Sequence, residues 1–226
     1  MKTPIWERID LTRPPKPRCQ GCHSRIQTQW EFCPSCGQTL IEKDNEFRRC
    51  IWVDISGMEV EDENRETITA ILIDAFSKLY GAFRSVKVFL TSDPPNPKEW
   101  VDGFTHVHVF ADNQVVDYLG VATFKLGMVT DLAIVRIDQV FNASYNASLN
   151  INQLSNLIAN TIAHEIGHTL GLDHSALPTD VMHDGLDHMI HSLMPPSFHA
   201  SQINSMNNTI RKYATLKSPL KPIKDS

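Results

Sequence analysis

The sequence predicts an α+β fold: a twisted, mostly parallel sheet laid against long helices, preceded by a small cysteine-bearing module. Two observations carry this. Short alternating or continuously apolar runs of strand length are interleaved with segments of 3.6-residue periodicity, in the order strand, helix, several strands, helix, loop, helix, with no internal repeat. Ahead of them, residues 19–37 hold four cysteines in two pairs, in a stretch too short for a core of its own. At 226 residues the chain is long enough for one core of about 150 residues and a satellite module. The boundaries expected are a flexible segment 1–18 ("RPPKPR"), the module 19–41, a packed domain 47–216 and a disordered tail 217–226.

"RRCIWVDIS" (48–56) reads as the first strand, and its apolar core suits a buried position. In 61–83, Ile68, Leu72, Ala75, Phe76 and Leu79 recur at helical spacing behind an acidic start, and the helix closes near Gly81. "SVKVFLTS" (85–92) is a strand stopped by "DPPNP", and "THVHVFAD" (105–112) alternates strictly, as a half-buried strand does. "GVATF" (120–124) and "DLAIVRIDQVF" (131–141) read as two more strands with a turn near Gly127. A polar loop then leads to a helix from Ile151, whose apolar side is Leu154, Leu157, Ile158, Ile162 and Ile166. Residues 175–197 are irregular, and 201–216 form the last helix.

The chemistry concentrates in "TIAHEIGHTLGLDH" (161–174). His164 and His168 are four apart, so they share one helix face at the spacing two imidazoles need to reach one zinc ion. Glu165 lies about 100° round from the first ligand, beside a metal and not on it. Position 174 would point about 280° round a continued helix, so a third ligand requires a sharp break. Gly171 supplies it, because glycine tolerates positive φ. Three neutral nitrogens leave a fourth zinc position open, which is the pattern of a catalytic site. A helix with satisfied core histidines would have no need of Glu165, Gly171 and His174 together.

These residues fit H-E-x-x-H-x-x-G-x-x-H at every fixed position, and the chain resembles the metzincin metallopeptidases. "NTIAHEIGHTLGLDHS" is most similar to the matrixin active-site helix, and the resemblance extends loosely over 47–215. It implies a metzincin-type catalytic domain, with His164, His168 and His174 as catalytic-zinc ligands and Glu165 as general base and acid in peptide hydrolysis. It also implies a methionine in a tight turn beneath the metal. Met182, eight residues after His174, has the matrixin spacing and is preferred; Met194, in "SLMPPSF", is the alternative. With Met182 in the turn, 183–197 would be an insertion rimming the cleft. The substrate, a protein or peptide, would pair with the edge segment 120–124.

"CQGCHSRIQTQWEFCPSCG" resembles a zinc ribbon, with Cys19, Cys22, Cys33 and Cys36 holding a structural zinc. Two disulfides are the rival, disfavoured because nothing suggests export. A second rival rests on "PRCQG", which is similar to the matrixin cysteine switch, although the full latch pattern is not met. The expected cofactors are therefore two Zn2+ ions, one catalytic and one structural. Residues 1–41 carry six Lys/Arg against three acids and the remainder 15 against 23, so a small basic head precedes an acidic body. That bias suits an anionic contact or a solvated linker, and a protein or nucleic acid is the partner expected for the ribbon. Cys50 reads as a small buried residue. His106 and His108 read as surface-facing, a second zinc there being the rival. His188, His191 and His199 fall where they would line the cleft. No apolar run spans a bilayer and the first residues do not read as a signal peptide, so the expectation is a cytoplasmic protein with no membrane partner. Two other function classes stay open: a ribbon-based binding or regulatory protein with an inactive metzincin-like domain, and a zinc hydrolase of small amides.

Overall fold

The computed structural model describes residues 2–4, 35, 49–95, 100, 103–112, 114, 116–184 and 188–217. Cys19, Cys22, Cys33 and Cys36, most of segment 1–18 and the tail from 218 lie outside the described residues. Within that first segment β1 (Lys2–Pro4) pairs antiparallel with β3 (Glu59–Glu61).

The main sheet is built on β2 (Arg49–Gly57), whose Cys50, Ile51, Val53 and Ile55 are buried. It is a central strand, flanked in parallel by β4 (Val88–Thr91) and β5 (Phe104–Phe110), and this is why its apolar run is nearly continuous. The strand order is β4-β2-β5-β7-β6, with β7 (Leu132–Arg136) parallel to β5 and β6 (Gly120–Ala122) antiparallel to β7 at the edge. The alternation of β5 places Thr105, Val107 and Val109 in the interior and Phe104, His106, His108 and Phe110 on the opposite, half-exposed face.

Helix α1 (Arg65–Ala82) buries Ile71, Leu72, Ala75, Phe76 and Leu79. It packs against α3 (Ile151–Thr169), which also lies across β5, β6 and β7. Asn150 and Gln153 start α3 with a reciprocal capping box, each side chain accepting from the other's backbone N–H at 3.0 Å. From Ser155 onward nearly every residue of α3 is buried, polar ones included, and each of these needs a partner. Ser155 donates to Asp74 and accepts from Lys78 on α1. The core closes with α5 (Ala200–Lys217), whose Met206 and Ile210 are buried.

Two readings are corrected. The strand expected over 131–141 ends at Arg136, and the chain turns directly into α2 (Ile137–Asn146), which takes in part of the expected polar loop. The buried Arg136 guanidinium forces the change: it bonds the carbonyls of Asp112 at 2.6 Å and Gln114 at 2.8 Å and the Asp138 carboxylate at 3.1 Å. Asp138 meets it from the first turn of α2, where an acid suits the helix dipole. The second correction concerns 175–197, which contains α4 (His188–Leu193). Asn156 donates to the Ser192 carbonyl at 2.8 Å, and Asn160 to those of His191 at 2.8 Å and Met194 at 2.9 Å, so this segment is fastened to α3. No helix among the described residues is long and apolar enough to cross a membrane.

Because α3 carries the histidines, its cap sets the stability of the site's floor. Asn150→Ala should cost about 1 kcal/mol and lower Tm by roughly 2–4 °C in calorimetry, whereas an unchanged Tm would show that the capping box contributes nothing.

Candidate metal centre

Helix α3 presents His164 and His168 one turn apart and then stops in a Schellman turn. The Leu172 N–H bonds the Gly167 carbonyl at 3.0 Å and the Gly171 N–H bonds that of His168 at 2.9 Å, with Gly171 at φ 85°. This is the left-handed conformation that the motif spacing requires. A side chain at 171 is also excluded by space, since a Cβ there would lie 2.8 Å from the Met128 nitrogen and 2.9 Å from that of Gly127. The turn sends the chain back under the helix and brings His174 to the other two.

The Nε2 atoms of His164 and His174 each lie 3.0 Å from Nε2 of His168. The far side of each ring explains which nitrogens carry hydrogen. His164 Nδ1 faces the Val181 carbonyl at 2.8 Å and His168 Nδ1 faces that of Leu172 at 2.9 Å. A carbonyl only accepts, so both Nδ1 atoms are donors and both Nε2 atoms present lone pairs. His174 Nδ1 stands 3.6 Å from Asp184. Burial, reinforced by the neighbouring imidazoles against the Val181 carbonyl, pushes the His164 pKa down to about 4. Burial likewise lowers that of His168. Uncharged imidazoles with converging lone pairs repel one another unless a cation lies between them. Zinc at 2.0–2.1 Å from each nitrogen would set them about 3.3 Å apart in a tetrahedral array, so the donor set fits such an ion. Among the described residues this is the one cluster of histidine, cysteine and carboxylate side chains with metal-holding spacing.

Beneath the histidines runs the turn 180–183. Met182 is fully buried against Gly167, and a Cβ on Gly167 would collide with its sulfur. Met194 is 71% exposed. The buried Asp180 holds the turn by accepting the Met182 N–H at 2.8 Å, and Gln202 of α5 donates to both its oxygens at 3.0 and 3.1 Å. The same turn supplies the Val181 carbonyl that orients His164. Asp180 and Gln202 were not singled out in the sequence; the Asx-type signal in "PTDVM" was the available clue.

Glu165 is 5% exposed and faces β6, where a Cβ on Gly120 would fall 2.5 Å from its Oε1 and 2.7 Å from its Cγ. Gly120 is therefore the residue that makes room for this carboxylate, and nothing in its sequence neighbourhood marks it. Burial pushes the Glu165 pKa up to about 8; a cation at the histidines would act in the opposite direction.

The remaining candidates are elsewhere. His106 stacks on Trp52 at 4.4 Å and pairs with Asp54 at 3.0 Å, so it and His108 belong to the ring ladder on the outer sheet face. His188 lines a cavity of about 450 Å³ beside β6, with Asp117, Tyr118, Gln139 and Asn146. His191 meets the Asp180 carbonyl at 3.1 Å, and His199 lies 3.9 Å from the Asp180 carboxylate. His183 faces the Ser175 carbonyl. Cys50 is buried in β2, where burial pushes its thiol up to about 11 against the opposing charge of Arg49.

Residues 92–175, well under half of the chain, match the metallo-peptidase family M12B, Reprolysin-like, and this span ends one residue past His174. With the three-histidine site, that match defines the chain as an enzyme, a metallopeptidase. Among solved structures it is similar to an archaemetzincin from Methanopyrus kandleri, at 11% identity over 76% of this chain and 99% of that one, TM-score 0.45. It is also similar to a zinc-dependent peptidase from Methanocorpusculum labreanum, at 16% identity over 71% and 100%, TM-score 0.48. No curated protein sequence matches it.

Gly120→Ala should leave metal content unchanged while turnover falls at least tenfold, because the methyl group displaces the Glu165 carboxylate; equal kcat in the two proteins would remove Gly120 from the site. Asp180 yields a test in pH. Burial raises its pKa, but the hydrogen bonds from Gln202, Met182 and Ser175, with the charge of His199, outweigh this and hold it below the usual range. A carboxyl depressed in the folded state stabilises above its unfolded pKa of about 3.9 and loses that contribution as pH falls through its folded value. The stability gap between wild type and Asp180→Asn, read from urea midpoints, should be full near pH 5 and shrink below about pH 4. A gap that widens on acidification would contradict this.

Proposed function

We propose that the chain is a zinc-dependent endopeptidase of metzincin type, matrixin-like around its active-site helix. His164, His168 and His174 hold the catalytic zinc, Glu165 is the general base and acid, and Met182 forms the turn beneath the metal. The observation that supports this most directly is the convergence of three Nε2 atoms, with Nδ1 of both helical ligands committed to backbone carbonyls. Zinc bound there would supply a Lewis acid for the scissile carbonyl and acidify water.

The chain's own residues do the rest. The carboxylate of Glu165, set in the recess left by Gly120, takes the proton from the attacking water and delivers it to the leaving amide nitrogen. Its burial keeps bulk water from competing for that proton. The polypeptide lies extended along β6. Leu119 and Thr123 bond to β7 through Arg136 and Leu132, so by the two-residue alternation of an antiparallel pair the backbone groups of Gly120 and Ala122 point to the open edge.

The domain limits remain those read from the sequence, with 19–41 as a zinc ribbon on Cys19, Cys22, Cys33 and Cys36 that docks a protein or nucleic acid, in a cytoplasmic protein. The test is a peptide-library digest with wild type, Glu165→Gln and chelator-treated protein, alongside zinc analysis. Cleavage should be lost in the variant and on chelation, with about two zinc ions per chain. Zinc retained without cleavage by wild type would favour the binding-protein reading, and cleavage undiminished in Glu165→Gln would refute the role of Glu165.

A further inference from the structure

The segment that follows β6 is apolar where a solvent-facing turn is expected to be polar. In "FKLGM" (124–128), Phe124 is 43% exposed, Leu126 69% and Met128 42%, and Lys125 is its single charge. The turn is closed by the Met128 N–H on the Lys125 carbonyl at 3.0 Å, with Gly127 at φ 65°. It is also fixed in place: the Gly127 N–H bonds the Gly171 carbonyl at 3.1 Å and the Thr130 N–H that of Thr169 at 2.8 Å, both at the end of α3. A hydrogen-bonded base under an exposed Leu tip marks a presented surface and not a loose loop.

Its position ties it to the metal centre. Gly120, Ala122 and Phe124 share one face of the strand direction; Gly120 meets Glu165, and the Phe124 ring stands 5.4 Å edge-on from that of His168. The open edge of β6, with the outward backbone groups of Gly120 and Ala122, therefore runs into the apolar turn, and no described strand pairs with it there. Backbone pairing along this edge is indifferent to sequence, while the turn is not.

We infer that Phe124, Leu126 and Met128 form an apolar lip that selects polypeptides carrying a large aliphatic or aromatic side chain at the position held beside His168. The occupant is an extended peptide, and the inference rests on the endopeptidase reading above. A Leu, Met or Phe side chain laid on the lip covers surface that water otherwise meets, whereas a charged one would be desolvated against it with Lys125 alone for company.

The experiment uses the full zinc-loaded chain and peptide pairs drawn from its own cleavage sites, identical except for Leu or Ala at each position in turn. At one position wild type should prefer Leu by about tenfold or more in kcat/KM, carried mainly by KM. The double variant Leu126→Ala/Met128→Ala, with unchanged zinc content and Tm, should bring that ratio to about one at that position and leave the ratios elsewhere as they were. Cleavage by wild type with no apolar preference at any position would overturn the inference alone, as would a preference that survives in the double variant. No cleavage of any library peptide by zinc-loaded wild type, and so no site from which to draw the pairs, would overturn the endopeptidase reading and this inference with it.

Discussion

Three imidazole nitrogens converge on one point, those of His164 and His168 as lone pairs that repel one another, and the segments following α3 are arranged to hold them there. Two of them are fixed by carbonyls, of Val181 and Leu172, which take up the only N–H each ring has. Those carbonyls come from the segments following α3, so the chain must reverse direction at Gly171 before either exists. The reversal then brings in His174 as well. One left-handed residue thus delivers the third imidazole and the groups that orient the other two.

The hold extends further than the turn. Val181 is placed by Asp180, Asp180 by Gln202, and Gln202 belongs to α5, near the end of the described chain. The buried asparagines of α3 fasten α4 over the same floor. Each of these polar groups would be costly without its partner, by about 1–3 kcal/mol apiece. The floor under the histidines is therefore fully satisfied only when these segments are assembled together.

What the sequence made legible follows from what is local. The continuous run of β2, the alternation of β5 and the helical spacing of α1 and α3 are all read within a dozen residues, and each is where the pattern placed it. The H-E-x-x-H-x-x-G-x-x-H pattern is local too, because a helix turn and a glycine stop are short-range geometry. Failures occurred where a distant contact decides. Ala133, Val135 and Ile137 continue a strand pattern through 136, yet the buried charge of Arg136 and its bonds to Asp112, Gln114 and Asp138 end it. The Asp180–Gln202 bond joins residues 22 apart: an Asx-type turn marks the Asp180 end, and nothing near Gln202 marks the other. Gly120 is the sharpest case: its role is defined by the carboxylate of Glu165, 45 residues later, and nothing beside it in the sequence marks it. For Cys19, Cys22, Cys33 and Cys36 the pairing pattern is the whole basis of the zinc-ribbon reading.

β6 is three residues long, and each of the three is under a different constraint. Gly120 has to lack a side chain on the face towards α3, because the Glu165 carboxylate occupies that volume. Val121 spends its backbone groups on Ile134, which keeps the strand in the sheet. Ala122 turns its backbone outward on the same register as Gly120. Moving the register by one residue would turn the backbone of Gly120 inward and bring the Val121 side chain onto Glu165. The position of the Glu165 carboxylate and the side of the strand left open are thus set by a single pairing register. That register is anchored at both ends, by the Arg136 N–H on the Leu119 carbonyl at 2.7 Å and the Thr123 N–H on that of Leu132 at 2.9 Å. Arg136, which looked like a fold residue ending a strand, is in this sense part of the site.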